Sequence, residues 1–111
     1  MSESGQENTG FLHMVYFWAA EGKGVEAAQK IAGGCDAHLR GIPGVVRLDV
    51  GFPAGTDRSV VDNSYAVGLL VLFADSAAHE VYQEHPDHLQ FIAECSPYWS
   101  RVQVYDTLLT D

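Results

Sequence analysis

The chain has 111 residues, 47% of them hydrophobic and 11% aromatic, and a formal net charge of -9. That is one domain of modest size, with enough apolar material for a single core and too much for a disordered polypeptide. Its six Lys and Arg are spread too thinly to line up against phosphates, which argues against nucleic acid and anionic membrane as partners.

The first ten residues, MSESGQENTG, are polar and acidic, so a disordered tail is expected there, with the domain running from Phe11 to Asp111. They lack the basic start and apolar run of a secretory signal, and no later apolar stretch is long enough to span a bilayer; a cytoplasmic protein is the expectation. FLHMVYFW, Phe11 to Trp18, is short and dense in aromatic and β-branched residues, and apolar on both alternating faces except at His13. It predicts a strand covered on both sides.

After the breaker EGKG, Val25, Ala28, Ala32, Cys35 and Leu39 recur at helical spacing, predicting a helix from Val25 to Arg40 that GIPG terminates and Gly33-Gly34 weakens. VVRLDVGF, Val45 to Phe52, predicts a half-exposed strand with Val46, Leu48, Val50 and Phe52 on one face. Pro53 to Ser64 reads as a mobile loop, and the apolar run from Tyr65 to Asp75 as a central strand. Asp75 or Ser76 should cap a helix facing inward through Ala78, Val81 and Tyr82. A residue before proline is pushed out of the helical region, so His85 should end that helix and Pro86 should open another, reaching about Cys95. RVQVYDTLL, from Arg101 to Leu109, alternates like a last strand.

The order β-α-β-β-α-β, with right-handed crossovers, specifies an α+β, ferredoxin-like topology: a four-stranded antiparallel sheet with its helices on one side. The other sheet face would then expose the second apolar side of the first strand, so a second copy packed sheet against sheet is expected, giving a homodimeric barrel. Cys35 and Cys95 lie far apart without a CxxC spacing and are read as buried thiols.

HMVYFW, IPGV, YAVGLLVLF and YQEHPDHLQF, in that order, resemble the stress-responsive A/B-barrel domain (Dabb) family of dimeric α+β barrels, over Leu12 to about Thr107. The most specific element is the pattern formed by Tyr82, His85, Pro86, His88 and Phe91, followed by Tyr105-Asp106. Some members of that family are stress-induced oligomers, others polyketide cyclases. Similarity to the cyclases implies that His88 is a general base, that Tyr82 helps hold substrate, that His13 lines the pocket and that Asp106 orients the base. Where those cyclases have a further histidine in the third strand, this chain has Val67.

From the residues alone, His13 is either a satisfied core histidine or part of a cavity shared with Tyr82 and His88. His88, in the first turn of its helix, is biased towards neutral imidazole, the form a general base needs. His85 and His88 have a spacing that can share a metal, but the proline between them spoils the geometry and His79 is a doubtful third ligand, so neither metal nor other cofactor is expected. His79 and His38 read as solvated. Three functions follow: binding of a small apolar or aromatic molecule, acid-base catalysis on a carbonyl compound, or a purely structural oligomer. The missing third-strand histidine favours the first and third.

Overall fold

The computed structural model describes residues 10–110. Four strands, β1 (Phe11–Ala19), β2 (Val45–Gly51), β3 (Val67–Phe73) and β4 (Trp99–Leu108), form one antiparallel sheet in the order β2-β3-β1-β4. The helices α1 (Gly24–Gly34), α2 (Ser76–Glu84) and α3 (Pro86–Cys95) complete a ferredoxin-like α+β fold. Apart from Gly10, whose carbonyl accepts from Leu109 N–H, the N-terminal tail lies outside the described residues.

Register decides what each sheet face carries. Phe11, His13, Val15 and Phe17 of β1 stand opposite Phe73, Val71, Leu69 and Val67 of β3, and these form the core under the helices. The alternate residues, Leu12, Met14, Tyr16 and Trp18 with Leu70 and Leu72, point to the other side and remain half-buried. Strand β2 has one inward anchor, Leu48; a register shift between Val45 and Arg47 leaves Val46 exposed, and Phe52 beyond the strand end is exposed too. The expected four-residue apolar face is thus reduced to Leu48 and part of Val50.

The first helix is rotated from its expected setting. Ala27, Ile31, Cys35 and Leu39 are buried, whereas Val25 is exposed, and the helix widens into a π-turn over Cys35–Leu39. Gly34 is a point of close approach and not merely a weak spot: a Cβ there would lie 2.4 Å from the Cys95 sulfur. The two cysteines are free and buried, and burial pushes the Cys35 thiol up to about 12. In the IPG turn, Ile42 enters the core while Gly44 takes a left-handed φ of 96° against Ala78.

The Asp75 carboxylate accepts from Ala78 N–H at 2.9 Å and starts α2. His85 is extended, with ψ 140°, and its Nδ1 accepts from Asp87 N–H at 3.0 Å, capping α3 with Pro86 at its first position. The inward face of α2 differs from expectation: Val81 is 57% exposed, while His79 is buried beside Tyr82. His79 stacks on Phe11 with centroids 4.3 Å apart, so a flat imidazole fills the place expected for an aliphatic side chain. Residues 53–64 form no helix or strand, but Asn63 ties them together through Gly55 N–H and Thr56 C=O.

Candidate functional site

Because β4 is an edge strand, its helix-side residues Val102 and Val104 are not roofed over. Between them and α3 opens a cavity of about 400 Å³. Val15, Phe17 and Leu69 form its floor, and Phe91, Ile92 and Trp99 contribute to the walls. Its polar groups come from His13, Tyr82, Gln83 and His88. The broken helix explains the convergence: Tyr82 and Gln83 lie in the last turn of α2, and the break at His85-Pro86 brings His88, in the first turn of α3, back beside them.

His88 is oriented by the break itself. Its Nδ1 lies 3.1 Å from the Gln83 carbonyl oxygen. A carbonyl can only accept, so Nδ1 carries the proton and the neutral ring keeps its lone pair on Nε2. Burial holds His88 below the ordinary imidazole value, with His13 and His79 acting in the same direction and the Gln83 bond opposing them. Tyr82, whose ring centroid is 4.8 Å from that of His88, is pushed up by burial and so remains a phenol able to donate.

Asp106 stands elsewhere than the resemblance implies. It is the register partner of His13 on β4, and its Oδ1 lies 2.6 Å from His13 Nδ1. The aspartate therefore orients His13, whereas a main-chain carbonyl orients His88. His13 and Tyr82 are 5.8 Å apart between ring centroids. His13, Tyr82 and His88 thus share one cavity, with Asp106 behind His13.

His79 is the correction among the histidines. It is buried, its centroid 4.8 Å from that of His13, and its Nε2 meets the Gln83 side-chain amide at 3.0 Å. Its signal was present in the sequence, three residues before Tyr82 and hence on the same helical face. His38 is half-buried and its Nε2 is 2.9 Å from the Glu94 carboxylate. Val67 is fully buried opposite Phe17 in the core. His85 Nδ1 and His88 Nδ1 each meet a main-chain group, and among the described residues the sole cluster with metal-ligating spacing is a different one, His13, His79 and Asp106.

The stress responsive A/B barrel domain model matches residues 11–108. Among solved structures, a Dabb family protein with a ferredoxin-like fold from Mesorhizobium loti is 22% identical, with a TM-score of 0.74 over 93% of this chain and 99% of that one. A dimeric ferredoxin-like protein of unknown function from Thermobifida fusca is 16% identical, with a TM-score of 0.77 over 93% of each chain. A hydroxynitrile lyase from Passiflora edulis is 15% identical, with a TM-score of 0.75 over 94% of this chain and 96% of that one. No curated protein matches the sequence.

Proposed function

The chain belongs to the stress-responsive A/B barrel domain family, and on that premise we propose that it is a homodimer whose cavity binds a small planar molecule, largely apolar and carrying a carbonyl or phenol. One observation carries this reading: an open, largely apolar recess of about 400 Å³ has the imidazoles of His13 and His88 close to the Tyr82 ring, with centroids 5.8 and 4.8 Å from it. An aromatic ring fits between the valines of β4 and Phe91, where burial of apolar surface contributes most of the affinity. The phenol of Tyr82 can donate to a ligand carbonyl, and Nε2 of neutral His88 can accept from a ligand hydroxyl. A purely structural role would leave this recess without a purpose.

The dimer reading rests on the sheet face bearing Met14, Tyr16 and Trp18, which no helix of the described residues covers and which Ser64, Tyr65 and Arg101 cover only in part. The Thermobifida fusca relative is described as dimeric. No helix of the described residues is long and apolar enough to cross a membrane. We place the protein in the cytoplasm, where two buried, unbridged cysteines are at home.

A second reading, acid-base catalysis on a bound carbonyl compound, is supported by the fixed tautomer of His88. With its lone pair on Nε2 and its proton affinity lowered by burial, the ring is arranged to take a proton at neutral pH. Tyr82 would donate to the carbonyl oxygen as charge develops, and the His13-Asp106 pair would hold a second imidazole at the end of the cavity.

Fluorescence titration of an aromatic carbonyl and phenol panel against the protein and His88→Ala tests the primary reading. The variant should keep its thermal stability and lose about 1 kcal/mol or more of binding free energy, the usual worth of one hydrogen bond. Binding of no panel member, or equal binding by both proteins, would refute it. Proton exchange at the α-carbon of a bound ketone, present in the wild type and absent from His88→Ala, would favour the catalytic reading.

A further inference from the structure

We propose that His13, His79 and Asp106 form a binding site for a divalent transition-metal ion of the zinc class at the end of the cavity. One donor atom from each of the three side chains lies within 4.8 Å of the others. Around a tetrahedral ion with bonds near 2.0 to 2.1 Å, donors stand about 3.4 Å apart, so movements of roughly 1 Å close the set. The fold supplies this placement from three separate elements: His13 and Asp106 face each other across the β1-β4 ladder, and α2 lowers His79 onto them.

Packing alone does not account for two imidazoles here. His13 is 5% exposed and His79 9%, and their neighbours are the rings of Phe11, Phe73 and Tyr82. An apolar side chain at position 79 would fill that space without bringing polar nitrogens into it. Imidazoles placed beside a carboxylate acquire a common purpose when they hold a cation. Two neutral imidazoles and one carboxylate suit zinc, cobalt, nickel or ferrous iron better than calcium or magnesium, which prefer all-oxygen sites.

The surroundings suit such a site as well. Asp106 is partly exposed, which gives an ion a path from solvent. The Gln83 amide beside Nε2 of His79 can present its NH2 or, after a half-turn, its carbonyl, and so accommodates either tautomer of that ring. Burial also holds His79 below the ordinary imidazole value, favouring the neutral, ligating form, with His13 acting in the same direction and Asp106 and Glu80 opposing. Three protein ligands leave a fourth position for water or a ligand oxygen.

This inference goes beyond the small-molecule reading and is tested separately, because His79 does not line the cavity. The purified chain, stripped with chelator, is titrated with Zn2+ by calorimetry and with Co2+ by visible absorption. The expected result is one ion per chain and a cobalt spectrum with nitrogen and oxygen ligation. His79→Gln and Asp106→Asn, each checked for folding by circular dichroism, should weaken binding at least about tenfold. His85→Gln and His38→Gln should leave it unchanged. Absence of binding to the wild type would overturn the proposal, as would full retention by folded His79→Gln or loss in His85→Gln, which would place the ion elsewhere.

Discussion

The two faces of this sheet are made from the same strands by alternate residues, yet their fates differ. On the helix side, Val15, Phe17, Leu69, Val71 and Phe73 are buried within one chain. On the other side Met14, Tyr16, Trp18, Leu70 and Leu72 are just as apolar and remain half-covered. A sheet with one face closed by its own helices and the other left apolar and half-covered is the reason for the dimer proposed above. The covered face also carries the recess of about 400 Å³ in which His13, Tyr82 and His88 meet, whereas the recesses of the other face are smaller and lined chiefly by Tyr16, Tyr65 and their neighbours.

The largest expected effect separates the faces by substituting one residue on each. Phe73→Ala, on the closed side, should cost about 3–5 kcal/mol and unfold much of the population near body temperature. Met14→Glu, on the bare side, should leave the monomer fold standing while weakening dimerisation by about 100-fold or more, since an unpaired charge would be buried in the contact. Denaturant unfolding and light scattering at micromolar concentration distinguish the two outcomes. A wild type that scatters as a stable monomer would remove the idea that the bare face is a dimer interface.

A smaller effect sharpens the closed side alone. Gly34→Ala places a methyl group against the Cys95 sulfur and the Phe91 ring, where α1 meets α3. It should destabilise the chain by about 1–3 kcal/mol despite the better helix propensity of alanine. Adding Cys95→Ala, which removes the sulfur, should recover part of that loss. Thermal unfolding of the two single variants and the double variant measures the coupling; strict additivity would show that Gly34 is not held by this contact.

Much of this architecture was legible because strand periodicity and proline chemistry are local. The apolar alternation of Phe11 to Trp18 fixed both faces of β1, and Asp75, His85 and Pro86 marked the helix ends where the structure has them. What was not legible depended on contacts distant in sequence. Val25 looked like an anchor by spacing, but the helix turns Ala27 and Ile31 inward, with Gly34 set close against Cys95 of a helix distant in sequence. His79 looked solvated because imidazole is polar; only the approach of Phe11 and His13 from β1 makes its burial worthwhile. Asp106 was a candidate from the resemblance alone, and the β1-β4 register, which no local pattern encodes, joins it to His13 and not to His88.

The smallest expected effect is a pH dependence confined to the closed side. All five histidines are described, and none projects from the bare sheet face: His13, His79 and His88 lie under or within the helices, His38 is on a helical segment and His85 is in the break between α2 and α3. Burial holds both His79 and His88 below 6.5, opposed at His79 by Asp106 and Glu80 and at His88 by the Gln83 bond. As pH falls through 6.5 the unfolded chain binds protons before the folded one does, so the unfolded state gains. Stability should therefore be full above that value and decline progressively below it. Carboxylates titrate mainly below about pH 5, which leaves the interval from about 7.5 to 5.5 to the histidines. Urea midpoints should fall across it, less steeply in the double variant His79→Gln, His88→Gln, while the proposed dimer, if joined through the face without histidine, should keep its dissociation constant. Equal slopes in wild type and double variant would move the pH response to other groups. Dissociation of the dimer in the same interval would mean that the two faces are coupled after all.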